Sequence, residues 1–452
     1  MVWLLIAGLA WAPFWYGGNI LIMWGVNAVI FPGLAAIYEI SLLVRGAKHP
    51  VGIRQIAIPA MLFAAVVAWM IFQTITADWI PFVHPIWALA SEALGRPLRA
   101  SISLNRSLTE ITLLKLITDA SVFWLSLQLL RNGARALLFV KAIAVIVSIY
   151  ACYGLATLVF GQFPWSNISM AEGRVSATFA NYNSYATYAG LGLLTATGLI
   201  ADRFRETVRE TSSAWRLQAV ALIDLVSFKA PWLAAAVFVT AVTLMLSGSR
   251  GGALATAVGF LCFALFRPRR SRRPFHVRLF GLILGGGLVF AIVLAFGDAL
   301  LRRVEMGGLF DPNRLAVYRL TWRSIFDETW QGFGYGTFVD VFPMYRDSSL
   351  GIQNFWSQAH NTYLEIFQGL GFVFGTMFIL SVALLGFRCV RGVWNRRENA
   401  VIPRIAAAAT ALVGFHSLVD FSMEIHAVAI TFMAILGAGV AQSISSRMRA
   451  SD

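Results

Sequence analysis

The sequence predicts an all-α, polytopic membrane protein, and three observations predict it. The 452 residues are 58% apolar and only 13% charged, against about 25% charged in soluble chains. Apolar runs of roughly 20 residues, the length a helix needs to cross a bilayer core, recur from end to end. On the threading below, about two-thirds of the 36 lysines and arginines fall on one alternating side, the topological bias of membrane chains, whose basic side is the cytoplasmic one. That distribution turns aside a nucleic-acid reading of the net charge of +14. Cys152, Cys262 and Cys389 have neither metal-ligand spacing nor a loop pair, so no disulfide framework is expected.

About twelve spans fit, within a single membrane domain over 1–452. Span 1, 2–14, lacks a basic leader and a small-residue cleavage site and is read as a retained helix. It ends at the corner Trp15-Tyr16-Gly17-Gly18-Asn19. Span 2, 20–44, stops at Arg45, Lys48 and Arg54, which mark an inside loop. Span 3, 55–76, opens an outer loop, 77–107, rich in Trp and Pro and holding His84. Span 4, 108–130, returns to Arg131 and Arg135. Span 5, 137–160, leads out to 161–183, with Glu172, Gly173, Arg174 and Asn181-Tyr182-Asn183.

Span 6, 184–201, descends to an inside loop with Arg203, Arg205, Arg209 and Arg216. Span 7, 231–247, surfaces at Ser247-Gly248-Ser249-Arg250-Gly251-Gly252. Span 8, 252–266, dives to the most basic run, between Arg267 and Arg273. Span 9, 278–297, feeds the largest outer loop, 298–361, which carries short amphipathic helices. Span 10, 362–387, ends inside among Arg388, Arg391, Arg396 and Arg397. Spans 11 and 12, 402–418 and 425–443, leave both termini inside.

An arginine on the outer side runs against the charge bias. Arg174, Arg250, Arg302, Arg303, Arg314, Arg319 and Arg323 all map there, in three loops. They either meet lipid headgroups and the nearby acids Glu305, Asp311 and Asp327, or hold a diphosphate at the interface. Convergence of three loops favours the second, because guanidinium stays charged and grips phosphate oxygens bidentately. Arg250 stands at a helix end among small residues, where a large anion can come close to the backbone. Asp311-Pro312 reads as an N-cap with Pro in the first turn, opening a short helix with Arg319 and Arg323 on adjacent turns. Leu315, Tyr318, Trp322, Ile325 and Phe326 are apolar enough for that helix to float among headgroups.

His360 stands just before span 10, followed by Asn361, Tyr363 and Glu365. A neutral imidazole there can take a proton from a sugar hydroxyl; the alternative is an interfacial histidine beside an Asn361 cap. Asn181 and Asn183 either bond a sugar or cap span 6. His416 and His426 flank Asp420 and Glu424 in what reads as a solvated turn rather than a metal site. Glu39, Asp119 and Lys115 lie inside spans, where ionisable groups are costly, and a Lys115–Asp119 pair is expected. No close carboxylate pair occurs in the outer loops, which argues against sugar transferases that need an acid or a metal there.

These pieces resemble the O-antigen ligase/polymerase family of bacterial envelope glycan enzymes, mainly over 165–385. The resemblance rests on Gly173-Arg174 with Thr178-Phe179-Ala-Asn181-Tyr-Asn183, then Ser249-Arg250-Gly251, then Arg314 ahead of Gly332-Phe-Gly334-Tyr-Gly336, and His360-Asn361-Thr-Tyr363-Leu-Glu365. It implies a GT-C-like bundle in the bacterial inner membrane, with its site facing the periplasm. It further implies metal-independent, inverting glycan transfer without a cofactor. The donor it implies is a glycan on undecaprenyl diphosphate; the acceptor is lipid A-core or another lipid-linked glycan. By the same resemblance Arg250 and Arg314 hold the diphosphate and His360 activates the acceptor. Arg174, Arg303, Arg319, Arg323, Asn181, Asn183, Asn361 and Tyr363 are then candidate substrate contacts. The competing class is a twelve-helix transporter or lipid-linked glycan flippase, which should show matched halves and polar mid-membrane breaks; no half-to-half similarity stands out.

Overall fold

The computed structural model describes residues 1–77, 80, 83–161, 174–209, 215–266, 312–351, 355–395 and 400–444, and among them the regular structure is helical throughout. The first helices are α1 Val2–Trp11, α2 Leu21–Val44, α3 Ala57–Thr74, α4 Ile86–Ala93 and α5 Arg106–Leu129. Then come α6 Gly133–Phe160, α7 Tyr182–Arg209, α8 Trp215–Asp224, α9 Pro231–Leu246 and α10 Arg250–Leu265. The last are α11 Pro312–Asp327, α12 Phe338–Tyr345, α13 Thr362–Asn395, α14 Val401–His416 and α15 His426–Ser443. A helix stands at each expected span that the described residues cover. Span 9, Glu172, Arg302, Arg303, Glu305 and Asp311 lie outside them.

Local chemistry sets the starts. Asn105 accepts from the Leu108 amide at 3.2 Å, Asn132 from Ala134 and Arg135, and Ser249 from Gly252, each satisfying amides that a first turn leaves open. Pro231 opens α9, and the stretch before it, α8 with the turn Leu225–Lys229, meets α9 at a bend of 92°. The sequence reading had placed α8 in an inside loop.

Among the described residues five helices are long and apolar enough to cross a membrane: Leu21–Val44, Ile53–Thr74, Gly133–Phe160, Thr362–Asn395 and His426–Ser443. The bent pair makes up to six, and α1, α10 and α14 are apolar but shorter. Their burial differs sharply. Within its most apolar stretch α15 is 89% buried, while Leu21–Val44 and Ile53–Thr74 are 22% and 17% buried. The centre of the bundle is therefore held by α15 together with α7, whose residues 183–200 are all buried, and α2 and α3 turn most of their apolar surface outward, as lipid-facing helices do. Small residues let α15 sit there. A β-carbon at Gly437 would lie 2.6 Å from the Phe123 carbonyl oxygen of α5, and one at Gly439 only 2.2 Å from Cβ of Ala406 in α14.

The expected amphipathic helix is present, packed on one face. α11 buries Val317, Leu320 and Ile325 and lies on α12 and α13, leaving Leu315, Trp322 and Phe326 exposed. Below it the glycine-rich corner locks onto α13. The Phe333 and Gly334 amides donate to the carbonyls of Gln368 and Gly369 at 2.9 and 3.0 Å, and buried Gln73 of α3 donates to Gln331 and Gly369. Gly334, at φ +97°, has no room for a side chain: a β-carbon would stand 2.5 Å from Ser103 Oγ.

Candidate active site

The site is organised around the turn 418–420 between α14 and α15. The sequence reading made this turn solvated. Its polar side chains are buried instead, although Leu418 beside them is exposed: His416 and Asp420 are each 1% exposed, and Ser422 and His426 are buried too. The turn is closed by its own polar groups, with Ser422 Oγ donating to Asp420 Oδ2 at 2.5 Å and His416 Nδ1 2.5 Å from Thr187 Oγ1 of α7. Among the described residues no group of three or more His, Cys, Asp or Glu is placed to hold a metal ion.

Three distant stretches lean on this turn. From α10, Gly251 packs so closely that a β-carbon there would lie 3.1 Å from His416 Nε2 and 3.3 Å from Val419 Cγ2; Arg250 is the residue before it and opens the helix. From α11, Arg314 Nη1 donates to the Val419 carbonyl at 3.1 Å. From the start of α13, His360 Nδ1 lies 3.5 Å from Asp420 Oδ1. That is longer than a well-formed hydrogen bond.

The short sequence around His360 shapes the backbone there. His360 holds φ at +55°, a left-handed conformation uncommon outside glycine. Its carbonyl accepts from Tyr318 Oη at 2.7 Å, one turn beyond Arg314 on α11. Asn361 caps α13 through the Leu364 amide and donates to the Leu418 carbonyl at 2.9 Å. Glu365 Oε1 accepts from the Ala359 amide at 2.6 Å, and the Gln358 side chain donates to the same carboxylate. Tyr363 Oη donates to the Gly414 carbonyl of α14. Asn361 and Tyr363, expected as substrate contacts, are thus engaged in building the site. The ring of His360 stands edge-on between Trp356 and Phe421, at 5.5 and 4.8 Å, and the side chain is 21% exposed.

The other candidates divide. Arg174 packs along Gly248, with its guanidinium 4.6 Å from the Tyr182 ring centroid, and so joins the α10 corner. Asn183 accepts from Ser249 Oγ at 2.7 Å, fixing the cap that precedes Arg250, while Asn181 caps α7 through the amides of Asn183 and Ser184. Arg319 points elsewhere, to Asp347 at 3.3 Å and Ser349 at 3.1 Å, and Arg323 is exposed on the same helix. Ser349, through its hydroxyl and amide, and then Arg319 hold the Asp347 carboxyl below its ordinary value. Arg303 lies outside the described residues.

Asp420 is the residue the sequence reading missed. Burial acts to raise its carboxyl, but the imidazoles of His360 and His416 and the Ser422 hydroxyl outweigh that and hold it below the ordinary carboxylate value. A buried, ionised carboxylate behind an imidazole fixes which ring nitrogen carries the proton. Its only signal in the sequence was an acid between two apolar spans. The expected Lys115–Asp119 pair is not formed either: Lys115 Nζ donates to the Glu424 carbonyl at 2.8 Å, and Asp119 lies 3.7 Å from His426 Nε2. Glu39 is satisfied by Trp124 and His49.

No curated protein matches the chain. Residues 235–380 match the family model described as O-antigen ligase, and they include Arg250, Arg314 and His360. That domain, about a third of this helical membrane protein, is what the chain shares with the O-antigen ligase/polymerase family, and it supports glycan transfer of that type in general.

Proposed function

We propose that the protein transfers a glycan from undecaprenyl diphosphate to an acceptor hydroxyl at the periplasmic face of the bacterial inner membrane, as an O-antigen ligase or a repeat-unit polymerase. One observation carries the reading: the stretches bearing Arg250, Arg314 and His360 all rest on the 418–420 turn. Residues from remote parts of the chain, two bearing cations and one an imidazole, thereby come to one turn.

The chemistry follows from charge. The bond between sugar C1 and the diphosphate oxygen breaks, and both its electrons stay with the lipid diphosphate. Arg250 and Arg314, with Arg174 beside the same corner, supply fixed positive charge to that leaving group. The acceptor oxygen forms the new bond to C1 from the opposite side, inverting the centre, and its proton passes to Nε2 of His360. Asp420, at Nδ1, stabilises the imidazolium. The diphosphate is already a leaving group, so this scheme uses neither a nucleotide nor a metal ion.

Reconstitution of the full-length chain with purified lipid-linked glycan tests this. Arg250→Ala, Arg314→Ala and His360→Ala should each lower turnover by about 10²–10³-fold while the protein stays folded by thermal unfolding. Undiminished product from all three would sink the proposal and leave a transporter or flippase as the better reading. Offering lipid A-core and lipid-linked glycan as separate acceptors divides ligase from polymerase.

A further inference from the structure

At the end of α9 opposite the Arg250 corner the chain turns through 92°, and α8 with the turn Leu225–Lys229 runs across the axis of α9. α9 is apolar over Pro231–Leu246 and packs on α6 and α7. A helix at a right angle to a crossing helix runs along the membrane plane.

The surface of α8 suits that place. Leu217, Val220 and Ile223 stand three residues apart, which puts them on one face, and all three are exposed. Phe228 in the turn is 79% exposed, and Trp232 in the first turn of α9 is exposed as well. Gln218 and Ala221 are buried, on the side where α8 meets α7. An amide inside and large aliphatics outside is the reverse of a helix packed from water onto a core. Charges keep to the two ends: Arg216 is exposed at the start, and Asp224 pairs with Lys229 at 2.8 Å at the finish. Long cationic side chains there reach polar headgroups while their stems lie in apolar surroundings.

Length points the same way. α9 and α10 have 16 residues each, about 24 Å against a hydrocarbon core of roughly 30 Å. With its Arg250 end at one boundary, this hairpin stops about 6 Å short of the other. An interfacial helix sinks its apolar face about 5–10 Å into the boundary, which makes up that difference.

We infer that α8 is an in-plane membrane anchor, with Leu217, Val220, Ile223 and Phe228 among phospholipid acyl chains and Arg216 and Lys229 at the phosphates. Its partner is lipid and not protein, because the shortfall it makes up is a bilayer dimension. The inference goes beyond glycan transfer and does not depend on it; on the proposed topology the leaflet is the cytoplasmic one.

Spin labels test it. In the full-length chain with Cys152, Cys262 and Cys389 replaced by serine, Val220→Cys and Ile223→Cys are labelled singly with a nitroxide and reconstituted in phosphatidylcholine–phosphatidylglycerol vesicles. Both labels should collide several-fold more with dissolved oxygen than with a water-soluble nickel chelate, at a depth of about 5–10 Å below the phosphates. Greater access to nickel would put the face in water and overturn the inference. So would a depth near the bilayer centre, as in a re-entrant loop, or shielding from both quenchers, as under a protein partner. With the native cysteines kept, benzoylphenylalanine at position 223 should crosslink to phospholipid, and a crosslink to a second chain instead would refute the anchor independently.

Discussion

At His360 the backbone is held in a conformation that few side chains adopt, and four contacts from α11, α13 and α14 keep it there. Such strain persists where the surroundings over-determine it. The imidazole is then aimed by Asp420, which makes Asp420 a positioning residue. Asp420→Asn should lower kcat about a hundredfold and shift the acid limb of the pH profile, with little change in donor KM. A purely structural role would instead lower the yield of folded protein at every pH. The sign of the linked stability follows from the depressed carboxyl. Its stabilising contribution is complete above the ordinary carboxylate value of about 4 and is lost as pH falls through the lower folded value. The gap in thermal unfolding between the wild type and Asp420→Asn should therefore close on acidification below about pH 4. His360 was legible because a histidine, an asparagine cap and a glutamate stand together at a helix start. Asp420 was not, because nothing local distinguishes a buried turn from a wet one; only the packing of α7, α10 and α13 over it does.

At the scale of elements, hydropathy located the helices well, because apolar length is a property of consecutive residues. It did not locate their breaks. α13 is broken at Gly371, φ +73°, where a β-carbon would stand 2.1 Å from the Trp330 carbonyl oxygen, and α8 meets α9 at its right-angled bend. Both depend on what lies opposite in space. The glycine-rich corner gives a clean test. Gly334→Val puts a branched side chain where Ser103 and Thr109 already bond at 2.9 Å, and at a positive φ. It should destabilise the protein by about 1–3 kcal/mol, read as a lower midpoint in thermal unfolding. An unchanged midpoint would mean that the corner is not packed as described. α11 carries the matching lesson. Of the five apolar residues that suggested a helix resting on headgroups, Leu315, Trp322 and Phe326 are exposed and only Ile325 is buried, while Val317 and Leu320, which carried no such expectation, fix its other face to the bundle.

For the molecule as a whole, the stretch that matches the ligase family ends at residue 380, whereas the deeply buried α15 and the turn under the site come later. The matched segment should not work alone. A chain stopped at 380 is expected to give no folded monomer on size exclusion and no transfer, while the full chain gives both. Monodisperse, active fragment would refute the central place given to α15. The shape of the bundle was not legible in the sequence, since α15 and α2 read as similar apolar runs and only their small residues differ in use.

The 418–420 turn has one more consequence. Arg314 hangs from its carbonyl, His360 faces its carboxylate, and Arg250 starts beside it, so a single hairpin serves as the common bearing for all three. A bilayer that thins or tilts these helices should therefore carry the cations and the imidazole in step, which on the proposed chemistry would preserve the spacing between leaving group and incoming hydroxyl.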